Sequence, residues 1–149
     1  MPSINVPEHY GWVVLGSGIL PVVTSMVLGG DVMAARKKYD VQYPNLYAPP
    51  GNKNADSFNR VQRGHQNYLE GVDSYCIMTL IGGLKHPIAC AVGSVLYCAG
   101  SLLYMKGYSD VTLDVKTARY KKGAAIKWIG FFASFISTIK LGYSFIKGE

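Results

Sequence analysis

The sequence predicts an all-α integral membrane protein, a bundle of four transmembrane helices in a single domain over residues 1–149. Three observations carry this prediction. Hydrophobic residues make up 49% of the chain and charged residues only 16%, below the roughly 25% usual in soluble domains. The apolar residues come in long blocks, each near the length of a membrane span. The charges gather between those blocks rather than alternating along them.

A helix needs about 20 mostly apolar residues to cross the hydrocarbon core. The first predicted span, residues 10–30 (YGWVVLGSGILPVVTSMVLGG), carries no charge. Pro21 inside it predicts a kink, which membrane helices tolerate when neighbours satisfy the freed carbonyl. The second span is placed at residues 60–84. Its apolar part, residues 71–84, is too short to cross alone and must borrow preceding turns that hold Arg63, Asn67 and Glu70. Asp73 lies within it. A helix starting near Ala55 or Asp56 would project its first turns from the bilayer. The third span, residues 87–105, is uncharged and rich in Gly, Ala and Ser, which let helices approach closely in lipid. The fourth, residues 123–146, has Lys127 near one end and Lys140 toward the other, both expected to snorkel to the interface.

The loops predict the orientation. Arg36, Lys37, Lys38, Lys53, Arg60 and Arg63 lie between the first two apolar blocks, and Lys106, Lys116, Arg119, Lys121 and Lys122 between the last two. These eleven of the fifteen basic residues put both loops in the cytoplasm and both termini on the far side. The net charge of +6 is thus accounted for by topology and requires no nucleic-acid partner. Tyr10, Trp12 and Trp128 fit interfacial anchors. The start of the chain lacks a basic n-region and a convincing cleavage site, so no cleavable signal peptide is expected. Cys76, Cys90 and Cys98 sit inside apolar blocks without paired spacing, and read as three buried thiols rather than a disulfide or metal framework.

The chemistry is expected on the second span. At about 100° per residue, Arg63, Asn67, Glu70 and Ser74 share one helix face, with Arg60 near its edge. An ionisable residue at membrane depth costs several kcal/mol unless it meets a partner or a cavity. One reading is an internal ion pair such as Arg63 with Glu70, bracing the bundle. The other is the polar wall of a site. Tyr104 and Tyr108, four apart at the cytoplasmic end of the third span, reach the same level. Two tyrosines there also fit an interfacial belt. Basic residues close the first span (Arg36, Lys37, Lys38) and precede the fourth (Arg119, Lys121, Lys122). Together these groups describe an anion-accepting pocket bordered by lipid, whose ligand carries carboxylates that arginine grips bidentately.

These segments carry a resemblance. FNRVQRGHQNYLE (58–70) resembles the signature of the MAPEG family, the membrane-associated proteins of eicosanoid and glutathione metabolism. ARKKYDVQYPNLY (35–47), LKHP (84–87) and LYMKGY (103–108) continue the likeness in order, over nearly the whole chain. Within the family, the type-3 microsomal glutathione transferases match best. The resemblance implies a homotrimer of four-helix protomers, with glutathione held in a U shape between neighbours at the cytoplasmic side. It implies that Arg36, Lys37, Arg63, Asn67, Glu70, Tyr104 and Tyr108 bind the tripeptide. His65 and Gln66 belong to the motif, but helical geometry turns His65 about 160° away from Asn67, toward a neighbouring protomer or water. The implied chemistry is thiol activation. A free thiol has a pKa near 8.5, and a nearby cation lowers it. The thiolate then attacks a lipophilic electrophile, or reduces a lipid hydroperoxide, arriving from the membrane lipids. No metal is implied.

The chain departs from the family pattern in three places. The arginine expected before the fourth span is aligned with Lys122, and Arg119, three residues earlier, is the alternative catalytic cation. Close relatives carry an arginine at Ser101, and leukotriene-forming members a tyrosine at Gly71. Two functions follow. One is a membrane glutathione transferase and peroxidase. The other is a catalytically weakened relative serving as an accessory subunit of a larger membrane complex. A weaker third is a non-enzymatic regulator of another member. Endoplasmic reticulum is the family default, with a mitochondrial membrane as the alternative.

Overall fold

A computed structural model describes residues 6–148. Within them the chain forms four long helices: α1 over Tyr10–Tyr39, α2 over Ala55–Gly83, α3 over Pro87–Tyr108 and α4 over Ile126–Lys147. A single 3-10 turn, Ala118–Tyr120, interrupts the connection between α3 and α4. Three of the helices, α1, α3 and α4, are long and apolar enough to cross a membrane. Polar residues in its first half keep α2 out of that set. Yet α2 has 29 residues, about 43 Å of helix at 1.5 Å per residue, and packs against all three others. It runs antiparallel to α1 along the same depth. Tyr10 Oη donates to the Leu80 carbonyl (2.9 Å) at one end, and the Arg36 guanidinium lies 5.3 Å over the Phe58 ring at the other.

Pro21 does produce a local distortion. It has no N–H to donate to the carbonyl four residues back, and the turn before it, Leu15–Ile19, widens to π geometry. Ser17 Oγ bonds the Val13 carbonyl (2.6 Å) and Thr24 Oγ1 that of Leu20 (2.9 Å), so side-chain hydroxyls serve as extra donors around the distortion. Past the apolar block α1 continues through Ala34, Ala35, Arg36, Lys37 and Lys38, good helix formers, and stops where Asp40 turns left-handed (φ 52°). The fourth helix begins at Ile126, after Gly123 takes a left-handed φ of 86° that its missing Cβ permits.

The interior is built from aromatic and small polar side chains. Tyr75 of α2 stacks on Tyr97 of α3 with ring centroids 3.7 Å apart and planes 4° from parallel. Tyr68 donates to the Pro21 carbonyl (2.7 Å), and Thr79 and Ser134 share a hydrogen bond (2.9 Å). The helices α3 and α4 touch backbone to backbone. A Cβ on Gly100 would stand 2.7 Å from the Lys127 Cα, and one on Gly130 would stand 2.6 Å from the Tyr97 nitrogen. The outer faces are apolar and open, as with Met26 (72% exposed) and Ile146 (86%), which suits contact with lipid.

Two expectations are corrected. Lys127 does not snorkel outward. It is 8% exposed, because it lies on the α4 face that packs against Gly100. Of the cysteines, Cys90 and Cys98 are buried, whereas Cys76 is half-buried; all three are free thiols.

Candidate functional site

Where the loop ends of α2, α3 and α4 meet, the side chains do not fill the bundle. A cavity of about 260 Å³ remains. From α2, Asn67, Glu70 and Gly71 face it, because residues three and four apart share a helix face. From α3 come Tyr97 and Tyr104, two turns apart on one face. The segment before α4 brings Arg119 and Tyr120, and α4 itself brings Lys127, Trp128 and Phe131.

Lys127 sets the electrostatics of this cavity. Its Nζ donates to Asn67 Oδ1 (3.2 Å) and stands 5.1 Å from the Tyr97 ring centroid and 5.6 Å from that of Tyr104. Among the described residues, no carboxylate forms an ion pair with it. Arg119 places its guanidinium 5.5 Å over the Tyr108 ring, and its buried Nε has no hydrogen-bond partner. Glu70 is the carboxylate in the wall, and it is engaged by Arg63 in an ion pair two helical turns long. Two cations without acids therefore share a recess with one acid already neutralised. The field in the cavity is positive, and an anion is its natural occupant.

Of the residues expected at the site, Asn67, Glu70, Tyr104 and Arg119 line the cavity directly. Arg63 joins them through Glu70, and Tyr108 through Tyr104, whose ring lies 5.9 Å away, and Arg119. The ion-pair and site-wall readings of the α2 stripe thus describe the same side chains.

Other expected residues lie elsewhere. Lys122 Nζ is bound to Asp110 Oδ2 (2.8 Å) and does not reach the wall. That bond, with the Thr112 hydroxyl and backbone N–H, holds the Asp110 carboxyl down at about 2, below the usual carboxylate range. Arg60 straps the same segment to α2, donating to the carbonyls of Asp110 (3.3 Å) and Leu113 (3.1 Å). Arg36, 9% exposed, donates through Nη1 to the carbonyls of Val41 (3.3 Å) and Asn45 (2.8 Å), leaves its buried Nε without a partner, and lies 4.3 Å over the Tyr43 ring. It organises the turn after α1, and Lys37 beside it is exposed. Gln66 accepts a hydrogen bond from Tyr47, and His65 is half-buried off the wall. Ser101 is buried and bonds the Tyr97 carbonyl (2.8 Å), so it supplies no charge. A Cβ at Gly71 would stand 3.2 Å from the Tyr97 hydroxyl, which makes this glycine part of the cavity's shape.

Lys127 and Tyr97 also line the cavity, although helical spacing on α2 and the basic loop ends mark neither of them. A signal for Lys127 is present. It falls in register with Gly130, Ser134, Ser137, Leu141 and Ser144, the buried stripe of α4, whereas Lys140 falls outside it. A lysine in line with the small residues of a packing face points inward.

A second recess, about 400 Å³ between α1 and α3, is lined by Trp12, Leu15, Leu20, Ile88 and Val92 among others, and offers no group for chemistry. Among the described residues no cluster of three or more His, Cys, Asp or Glu could hold a metal ion. A model of the MAPEG family matches residues 14–144, a stretch that contains every residue of the cavity wall.

Proposed function

The chain belongs to the MAPEG family, whose members use glutathione and include glutathione transferases, and on that premise we propose that it is a membrane-bound glutathione transferase with peroxidase activity. The observation that carries the reading is the positive cavity between α2, α3 and α4. Glutathione presents two carboxylates, one ammonium and one thiol. The Arg63–Glu70 pair offers a guanidinium to a carboxylate and a carboxylate to the ammonium. Arg119 offers a second guanidinium at the wall. The cavity, at about 260 Å³, is below the roughly 300–1,000 Å³ usual for small-molecule sites. It suits part of the tripeptide, with the remainder held by a neighbouring copy. A homotrimer, and a place close to the type-3 microsomal transferases, belong to this proposal, as does a role for Arg36 and Lys37 toward a neighbour's glutathione.

In this reading the cation-rich wall lowers the thiol pKa and the thiolate forms at neutral pH. The sulfur then bonds to an electrophilic carbon as the leaving group departs with its electron pair. With a lipid hydroperoxide, two glutathiones yield the disulfide while the hydroperoxide becomes an alcohol and water. The apolar outer faces admit such substrates from the bilayer, with the endoplasmic reticulum as the membrane and the loop end in the cytoplasm.

One observation favours a second reading. Lys122, aligned with the family's catalytic arginine, is committed to Asp110 rather than to the cavity. A weakened relative, lodged as an accessory subunit in a larger complex, mitochondrial for example, would show this. A conjugation and peroxidase assay on purified protein, wild type against Arg119→Ala and Lys122→Ala, decides between them. Glutathione-dependent turnover that falls with Arg119→Ala supports the enzyme. Calorimetry without glutathione binding to folded protein removes it, and a native mass showing one copy among unrelated chains supports the accessory role.

A further inference from the structure

Lysine 127 occupies an unusual position. An ammonium group buried at 8% exposure, with a neutral amide as its one hydrogen-bond partner, has lost most of its hydration without an ion pair, the wall's carboxylate, Glu70, being engaged by Arg63. Such burial is costly, and an anion entering beside it relieves the cost. The backbone gives the side chain no easy route out, because Gly100 packs directly on the Lys127 main chain. The Nζ therefore stays in the recess formed by Asn67, Tyr97 and Tyr104.

We infer that Lys127 is the cation that meets the thiolate sulfur of bound glutathione, in the role that alignment gives to Lys122 or Arg119. The inference rests on the glutathione reading above. It follows from matching the ligand's charges to the wall. Planar guanidiniums, Arg63 and Arg119, suit the two carboxylates, which they grip through paired N–H groups. Glu70 suits the ammonium. What remains is a single-atom anion and a point-charge cation, the sulfur and Lys127. The surroundings agree, since two aromatic rings flank the Nζ and a polarizable sulfur sheds its weak hydration there more readily than a carboxylate would. The charged and titratable groups facing Lys127 are Glu70 from α2, Tyr97 and Tyr104 from α3, and Arg119 and Tyr120 from the segment before α4. Of these, only Glu70 opposes thiolate formation as a fixed negative charge, and Arg63 offsets it. On binding, the S–H bond breaks, the sulfur keeps the electron pair and pairs with the ammonium, and the proton leaves to water at the loop end.

The test uses the full chain in detergent micelles or nanodiscs, with glutathione and S-methylglutathione as probes. Thiolate is followed by its ultraviolet absorbance in a pH titration, and binding by calorimetry. In Lys127→Met, S-methylglutathione binding, which also reports the fold, should stay within about threefold of wild type. The thiolate fraction of bound glutathione at pH 7 should fall about tenfold or more, and kcat with it, while Lys127→Arg should restore most of the thiolate signal. Lys140→Met, which changes a lysine of α4 outside the buried stripe, should leave both readouts unchanged. Equal weakening of both probes in Lys127→Met would assign Lys127 to a carboxylate and overturn the inference, as would an unchanged thiolate titration. Should Lys127→Met fail to fold, Lys127→Gln is read by the same two probes. Wild type that binds neither probe removes the glutathione reading itself, a result distinct from binding without a Lys127-dependent thiolate.

Discussion

Lys122 and Asp110 are joined across the connection between α3 and α4, Nζ to Oδ2 2.8 Å, and the residues between them carry Arg119 and Tyr120 to the cavity. The ion pair closes a staple whose other arm is Arg60, bonded to the carbonyls of Asp110 and Leu113. Lys122 thus fastens this segment without lining the cavity itself.

The staple should open in acid. The Asp110 carboxyl sits at about 2 in the folded chain, against an ordinary value of 3.8. A lowered folded pKa means that the unfolded segment binds protons first as pH falls, so the stabilisation is complete above about 4 and lost toward 2. Pepsin cleavage within residues 109–122 should rise as pH drops through that window in wild type. In Asp110→Asn it should be raised already at pH 4 and change little below. Equal slopes in the two proteins would show that Asp110 does not govern the segment.

Arg63→Ala should weaken glutathione binding at least tenfold while barely changing thermal stability. The pair with Glu70 is about half exposed, 44% and 54% at the side chains, so its contribution to folding is in the range of about 0–1 kcal/mol. Its effect on the site is larger. Without Arg63, Glu70 is left as a free negative charge in a wall that must accept anions. Arg63→Ala with Glu70→Gln should recover part of the affinity lost by Arg63→Ala alone, and a double-mutant cycle by calorimetry reads that recovery. An additive cycle would separate the two residues.

Much of this architecture is legible in the sequence, because lipid imposes coarse rules. Uncharged blocks locate α1 and α3, and clustered basic residues mark the ends that the structure brings together. The α2 stripe is legible too, since Arg63, Asn67 and Glu70 follow helical spacing. Lys127 is harder to read. A lysine near a helix end normally reaches for the interface, and what turns this one inward is the contact of Gly100 and Gly130 with the neighbouring backbone. Arg36 is hard to read for a different reason. Its basic neighbours mark it as a ligand group, and within the chain the carbonyls of Val41 and Asn45, set by a turn no periodicity reveals, take up its Nη1.

The α3–α4 contact itself can be tested. Gly100→Ala forces a methyl group into the Lys127 backbone, an overpacking that costs typically about 1–3 kcal/mol and pushes apart the two helices that frame the recess. A lower Tm together with weaker glutathione binding is expected. Gly142→Ala, on the same α4 but with nothing within 4 Å of its added methyl, should raise helix stability by about 0.5–1 kcal/mol and leave binding unchanged. Thermal melts in one detergent compare the two directly, and equal Tm shifts would contradict the close approach.

Arg119 should show a trade between stability and binding. Its buried Nε has no partner, and an unsatisfied buried donor costs about 1–3 kcal/mol. The Tyr108 ring beneath the guanidinium returns about 0.5–1 kcal/mol as a cation–π contact. Arg119→Met removes both, so Tm should hold or rise slightly. Binding should move the other way. Hydrogen bonds to charged groups contribute about 1.5–3 kcal/mol, which corresponds to a loss of roughly ten- to a hundredfold in affinity. Because Arg119 is matched to a carboxylate, S-methylglutathione should lose as much as glutathione, the opposite of the pattern expected for Lys127→Met. Arg119→Lys should recover little, since an ammonium lacks the planar fork. A fall in Tm with no loss of affinity would make Arg119 a structural residue that faces the cavity without serving it.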